Sequence, residues 1–352
     1  MEARDLAGMA NEMAVCIRCA YCLEECPVRL RKGWDTDGPR GKIILAYGLL
    51  SGDIEPSEEV AGKMFQCTTC RDCISKCPAN VRIVDIVTAA RAALVREGFA
   101  GEAHERVVGN VRATGNIYGD AEVRAPVQDG ETPVFLGCQY LSRPNNTKKL
   151  LRILEALGIR PRVFDEVCCG FPMAVLGFAD DLEVHLPRFR ERFDAGEAIA
   201  LCPTCTVFLR EGHGIAAKHV LQAVLERLPQ TDLGLRVTYH DPCDLSRSLG
   251  IVDEPRQILR RLGCEVVEMA HHGKGSKCCG GGGGMLMSDA GLADAIALDR
   301  IREALDTGAD VLVTACPTCE TVLRKAANAA AAEGGRTVQV RSIEDLIWKA
   351  VK

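Results

Sequence analysis

The chain has 352 residues, 47% apolar and 26% charged, with a net charge of −5. That is the make-up of a soluble globular protein of two or three domains at about 150 residues each, and it excludes a disordered or fibrous chain and argues against a general nucleic-acid binder, which carries a basic excess or stripe. Aromatic residues reach only 5%, whereas cysteine numbers 19, an odd count that rules out a complete set of intrachain disulfides.

The opening residues are acidic and lack the long apolar segment of a secretory signal. The longest apolar run, Ile43 to Leu50, is far too short for a transmembrane helix. The expected location is cytoplasmic, with any membrane association made through a partner subunit. A cysteine-rich chain in that setting is expected to bind metal rather than to form disulfides.

Eight cysteines fall in two matched runs. Cys16, Cys19, Cys22 and Cys26 precede Pro27, and Cys67, Cys70, Cys73 and Cys77 precede Pro78. This spacing, closed by proline, holds 4Fe–4S clusters. Three closely spaced thiolates wrap three irons from one turn-rich loop, and in two-cluster ferredoxins the fourth ligand comes from the other run. Cluster one would therefore take Cys16, Cys19, Cys22 and Cys77, and cluster two Cys67, Cys70, Cys73 and Cys26. Four-cysteine zinc sites also use paired cysteines, but they do not need three in a row followed by Cys-Pro, twice. Residues 39–50 between the runs read as helix. Residues 1–100 are thus expected to form an α-helical ferredoxin domain with two cubane clusters, a wire that needs an electron source and a sink. Residues 101–131 hold no cysteine but contain turn formers at Gly115, Asn116, Gly119 and Pro126, and they are expected to be a linker.

The rest is an internal repeat, expected as one domain over 132–230 and another over 231–352. In the first copy an apolar run from Thr132 ends at Cys138. A helical stretch from Lys148 to Leu157, a strand at 162–164 and Cys168-Cys169-Gly170 follow. A further helical region leads to a strand from Ala198 to Leu201 and then to Cys202-Pro203-Thr204-Cys205. The second copy repeats this order through Cys243, a helix from Arg256 to Leu262, a strand near Glu265 to Glu268 and Cys278-Cys279-Gly280. It ends with a helix at about 290–307, a strand at 311–315 and Cys316-Pro317-Thr318-Cys319. Matching cysteines are offset by 105, 110 and 114 positions. Alternating strands and helices predict two tandem Rossmann-like α/β domains with mostly parallel sheets, whose functional groups gather beyond the carboxyl ends of the strands. A lone cysteine there is usually a packed thiol; ten in two matching patterns point to two metal sites.

Cys, Cys-Cys-Gly and Cys-x2-Cys in that order, twice, resemble the cysteine-rich "CCG" pattern, as do His240 to Cys243 and the stretch from Lys277 to Met285. A helical ferredoxin fused to two CCG domains resembles the iron–sulfur catalytic subunit of heterodisulfide reductase. It is also similar to the iron–sulfur subunits of glycolate oxidase and anaerobic glycerol-3-phosphate dehydrogenase. The resemblance implies a noncubane 4Fe–4S cluster in each CCG domain, on Cys138, Cys168, Cys169, Cys202 and Cys205 in one and on Cys243, Cys278, Cys279, Cys316 and Cys319 in the other. Adjacent cysteines can bind or bridge two irons of an opened cluster, and the glycine after the pair lets the backbone approach closely. The run Gly280–Gly284 offers backbone N–H groups to anionic sulfur; it lacks the Lys-Ser/Thr ending of a phosphate-binding loop. In the first repeat 29 and 32 residues separate the successive cysteine groups, against 34 and 36 in the second, so zinc is kept as the alternative occupant of the first site.

Cys264 fits neither repeat and reads as a buried structural thiol. His271 and His272 read as a solvated loop, and His240 is the better candidate beside a metal. Two functions remain open. One is a heterodisulfide reductase-like enzyme that reduces a disulfide substrate at the CCG clusters, favoured by the complete five-plus-five cysteine set. The other is a non-catalytic electron-transfer subunit of a flavin-dependent dehydrogenase of the glycolate, lactate or glycerol-3-phosphate type. The chain has no nicotinamide or flavin fingerprint of its own, so either role implies a partner, a flavoprotein or a cytochrome b subunit.

Overall fold

The computed structural model describes residues 5–332 and 336–352. Its N-terminal part is helical. Pro39–Ser51 packs on Ile83–Arg96, which also carries Glu58–Phe65. The first of these helices starts with proline at its first position and stops at a left-handed Gly52, the usual start and stop chemistry. Ser57 caps the helix Glu58–Phe65 by accepting the Val60 N–H at 3.4 Å, with Glu58 and Glu59 in the first turn. Their inward faces bury Ile43, Ala46, Met64, Ile86, Val87 and Leu94. These residues belong to one apolar cluster with Phe135, Phe189 and Phe208 of the next unit, so the helical part and the first sheet share a core.

Two four-stranded parallel sheets follow. The first joins β1 (Thr132–Phe135), β2 (Pro161–Val163), β3 (Glu197–Ala200) and β4 (Ala216–His219) in the order β2-β1-β3-β4. The second joins β5 (Arg236–His240), β6 (Glu265–Val266), β7 (Val311–Thr314) and β8 (Gln339–Ser342) in the order β6-β5-β7-β8. The inner strands are buried on both faces, β7 along its whole length, as parallel strands covered by helices are. The identical order confirms the repeat. It also explains where the cysteines gather. The chain reverses direction across the sheet between β1 and β3, and again between β5 and β7, and such switch points open a crevice beyond the strand ends. Cys138, Cys202, Cys243 and Cys316 follow those four strands within two or three residues.

Four elements depart from the sequence reading. The segment expected as linker begins with a 13-residue helix, Glu102–Thr114, that buries His104, Val108 and Val111; the turn formers act only from Gly115 onward. The edge strands β4 and β8 have no counterpart in the sequence reading. The strand expected near Glu265 to Glu268 is only two residues long.

Two buried histidines make the fold acid-sensitive. His219 bonds the Leu201 carbonyl at 3.1 Å, and burial pushes its pKa down to about 3. His104 stacks on Phe65 and is pushed to about 4 by burial and then by Arg91. Both rings titrate near 6.5 when unfolded. Their stabilisation is complete above that pH and is lost as the pH falls toward 4 and 3. At pH 5 each costs about 2 kcal/mol. Denaturant unfolding of the wild type at pH 7 and pH 5 is expected to show this loss, and His219→Gln to remove about 2 kcal/mol of it; equal losses in the two proteins would refute the assignment.

Candidate metal centres

Among the described residues, five non-glycine positions have left-handed backbones, Arg18, Ala20, Thr69, Arg71 and Asn80, and all lie within or directly behind the two N-terminal cysteine runs. Arg18 and Thr69 hold matching places, as do Ala20 and Arg71. Each such residue costs on the order of 1–2 kcal/mol, which the loops sustain only around something that over-determines them. These loops border two small cavities. Cys16, Cys19, Cys22 and Cys77 line the first; Cys26, Cys67, Cys70 and Cys73 line the second. Burial pushes the Cys22 thiol up to about 11 and the Cys26 thiol to about 12, so bare thiolates are unfavourable there and cationic metal would be needed to hold them. Backbone N–H groups already point at sulfur, Thr69 to Cys67 Sγ and Val81 to Cys77 Sγ, both at 3.4 Å. This donor set fits two iron–sulfur clusters.

Ten of the eleven later cysteines form two connected groups. In the first, Cys138 adjoins Cys168, Cys168 adjoins Cys169, and Cys205 bridges Cys169 to Cys202, with Cys169 and Cys205 Sγ 3.8 Å apart. Gly137 (φ +81°) permits this, because a Cβ there would stand 2.9 Å from Cys205 Sγ. In the second, Cys278, Cys279, Cys319 and Cys316 adjoin in turn, with Cys279 and Cys319 Sγ 3.2 Å apart and Cys243 coupled to Cys278 and Cys279. Hydrogen bonds from Cys168 and then Cys205 hold Cys169 down to about 6. Cys278 and Cys319 likewise hold Cys279 well below the ordinary thiol range. Their neighbours go the other way: Cys138, Cys168 and Cys205 in the first group and Cys243, Cys278 and Cys319 in the second are held above the ordinary thiol range, so the full set would be thiolate only with a metal bound.

The two groups have different covers. Cys278 touches Cys70 of the ferredoxin part, and Arg247 fastens that contact by donating to the Cys70 carbonyl and to Asp72, each at 3.1 Å. The first group is covered by the strap after helix Glu102–Thr114, where the Cys168 N–H donates to the Gly115 carbonyl at 2.6 Å and Cys138 bonds Ile117. The two sheets meet through matched contacts. Thr204 Oγ1 donates to Asp244 at 2.6 Å, beside Cys205 and Cys243. Arg143 donates to Thr321 Oγ1 at 2.6 Å. Tyr140, electrostatically coupled to both Cys202 and Cys316, donates to Glu344 at 2.9 Å. Just after Cys243 the chain makes one π-helical turn, Asp244–Ser248, a rare form that favours functional sites.

Of the remaining candidates, Cys264 is buried at 6% exposure and takes no part in either group. His271 and His272 lie in a loop open to solvent, as expected, with His271 Nδ1 2.8 Å from Glu303. His240 is buried, with a ring nitrogen within 4.8 Å of Cys279 and Cys319 sulfur. In the glycine run, the Gly280 N–H does reach Cys278 Sγ at 3.3 Å, but Gly282 and Gly283 lie against the Cys67–Thr68 backbone. The sequence reading missed Arg91, which is fully buried. It donates to carbonyls of Met64, Phe65 and Cys67 in the ferredoxin part, of Val175 in the first α/β unit and of Gly283 in the second.

Residues 12–81 match the 4Fe-4S dicluster domain, and residues 133–210 and 237–324 each match the cysteine-rich CCG domain. The chain thus joins a 4Fe-4S dicluster ferredoxin domain to two cysteine-rich CCG domains. It is 28% identical to a subunit of dihydromethanophenazine:CoB–CoM heterodisulfide reductase from Methanosarcina barkeri, over 97% of this chain and 94% of that one. It is 28% identical to a subunit of fumarate reductase (CoM/CoB) from Methanothermobacter marburgensis, over 94% of this chain and 71% of that one. An EtfAB:quinone oxidoreductase from Syntrophomonas wolfei is 26% identical over 96% of this chain and 58% of its own length. The chain is an iron–sulfur electron-transfer protein related to that heterodisulfide reductase subunit. Among the described residues no helix is long and apolar enough to cross a membrane.

Proposed function

We propose that this chain carries electrons through two cubane 4Fe–4S clusters to noncubane clusters on the two five-cysteine CCG groups, where a disulfide is reduced. The observation that carries the proposal is the contact of Cys70 with Cys278, which joins the second N-terminal cavity to the second CCG group, with the first CCG group just across the Tyr140–Glu344 interface. When bound, the clusters supply one-electron carriers, whereas reduction of a disulfide to two thiols takes two electrons and two protons. The protein's own residues bring the carriers together, bury them and supply donors to sulfur. The cubane ligands are Cys16, Cys19, Cys22 and Cys77 in one cluster and Cys26, Cys67, Cys70 and Cys73 in the other. A flavoprotein or cytochrome b subunit serves as electron source, and the complex works in the cytoplasm or at a membrane through that partner.

Metal analysis of the protein is expected to give about 16 iron per chain for four 4Fe–4S clusters; about 12 iron with one zinc would place zinc in the first CCG group. Cys77→Ala should damage the cluster of the first run and Cys26→Ala that of the second. Damage confined to each cysteine's own run would refute the crossed ligation.

The protein reduced by viologen is expected to cleave a thiol disulfide, and Cys278→Ala to abolish this while sparing both cubane signals. The similarity to an EtfAB:quinone oxidoreductase favours a second reading, a relay from a flavin dehydrogenase with no substrate of its own. Background rates across a broad disulfide screen, together with rapid viologen-to-quinone transfer in the partner complex, would decide for the relay.

A further inference from the structure

The two CCG groups have the same cysteines but different walls. Three residues before Cys243 stands His240; three before Cys138 stands Phe135. The helices Ala179–Arg192 and Ala290–Asp306 begin 111 positions apart (179 and 290), so Phe189 occupies the place of Arg300. The contacts agree: Phe135 packs on Phe189 with ring centroids 5.6 Å apart, and Arg300 Nε donates to His240 Nδ1 at 3.0 Å. A polar pair in the second repeat replaces an apolar pair in the first.

This pair dictates which histidine nitrogen carries hydrogen. Arginine is always a donor and has no acceptor, so Nδ1 must offer its lone pair to Arg300. The hydrogen of the ring then sits on Nε2. Arg300 is itself fully buried and fixed by bonds to Glu303 Oε2 at 2.6 Å, the His271 carbonyl at 2.9 Å and Ser276 Oγ at 3.1 Å. His240 Nε2 is buried and has no partner within the protein, while the sulfurs of Cys279 and Cys319 lie within 4.8 Å of a nitrogen of the ring. A buried N–H without an acceptor is costly, and the sulfur site is the acceptor at hand.

We propose that His240, held as its Nε2–H tautomer by Arg300, donates a hydrogen bond to the sulfur site of Cys279 and Cys319 and so makes the second CCG group the easier of the two to reduce. Hydrogen bonds to ligand sulfur set the potential of iron–sulfur centres, because added negative charge is stabilised by a donor aimed at it. Phe135 offers no such donor to the first group. Arg300 is a positioning residue that acts through the ring. This rests on the iron assignment proposed above and adds a rank order to the two groups.

The test uses the iron-loaded protein. In wild type carrying 15N-histidine, electron–nuclear double resonance of the second CCG signal is expected to show an exchangeable proton and only weak nitrogen coupling. A strong coupling typical of bound nitrogen would make His240 a ligand and overturn the proposal, and this measurement needs no variant to fold. In redox titrations, His240→Phe should keep its iron and move the second-site midpoint down by at least a tenfold change in reduced-to-oxidised ratio, about 59 mV for one electron. The cubane midpoints should stay in place, and His240→Gln, which keeps an N–H, should recover most of the shift. An unchanged midpoint in a fully loaded His240→Phe overturns the proposal. A wild type without iron in the second group would instead overturn the assignment beneath it, so the two failures are told apart by metal content.

Discussion

Arg91→Met is expected to be among the most damaging single substitutions in the chain. The guanidinium makes six hydrogen bonds of 2.8–3.3 Å to five backbone carbonyls, and they come from all three units. Methionine fills much of the volume but leaves those carbonyls without a donor, at roughly 1–3 kcal/mol for each that water cannot reach. Losing the buried charge recovers part of this, because Arg91 bears its own desolvation; burial already pulls its pKa down to about 10. The net expectation is a loss of about 3–5 kcal/mol, the range for breaking a buried charged network. Since Arg91 also holds the Cys67 carbonyl against Gly283, the cubane signals should broaden and electron delivery to the CCG groups should slow. Denaturant unfolding and limited proteolysis between residues 96 and 132 measure the first effect. A variant within about 1 kcal/mol of wild type, an ordinary surface-substitution effect, would falsify the view of Arg91 as the central fastening.

Much of this was legible in the sequence, for stated physical reasons. Cysteine spacing is a local property, so the two N-terminal runs and the ten later cysteines could be grouped before any coordinates. The apolar runs that end in Cys138, Cys202, Cys243 and Cys316 are inner parallel strands, and such strands are apolar on both faces. Of the edge strands, β4 and β8 escaped: β4 alternates exposed and buried residues, with Lys218 facing out, and four residues of that kind look like any loop. The helix Glu102–Thr114 escaped because only three of its residues are buried and glycine-rich turns follow it. Arg91 left a signal that went unread: Val84, Val87, Arg91 and Leu94 follow helical spacing, and the other three are core. A charge in that stripe must find partners. Contacts between distant segments, such as Cys70 with Cys278, have no local signature at all. In the glycine run, Gly280 and Gly281 offer their N–H groups to Cys278 and Cys279 sulfur as expected, while Gly282 and Gly283 serve close backbone approach.

That approach makes Gly283→Ala the other large effect. Gly283 has φ +61°, and a Cβ on it would collide with the Cys67 carbonyl oxygen and stand 2.7 Å from the Thr68 carbonyl carbon. The backbone conformation alone costs an alanine on the order of 1–2 kcal/mol. The clash is with backbone, not with the end of a flexible side chain, so it cannot be relieved by a rotamer change. Cys67 and Thr68 precede the left-handed Thr69 and Arg71 beside the second N-terminal cavity, and Arg91 pins the Cys67 carbonyl, so they have little room to retreat. Overpacking of this kind adds roughly 1–3 kcal/mol. If the protein yields, it should yield at the seam between the ferredoxin part and the second CCG unit, separating Cys70 from Cys278 while leaving each group of cysteines whole. The expected phenotype is therefore specific. Iron content and the cubane spectrum stay near wild type, stability falls by about 2–5 kcal/mol, and viologen reduces the cubanes but no longer the CCG centres at the wild-type rate. Gly291→Ala is the matched control, because Gly291 lies in the helix Ala290–Asp306 with only a 3.7 Å contact to Asp289. Equal reduction rates at the CCG centres in the two variants would show that electrons do not cross at this seam.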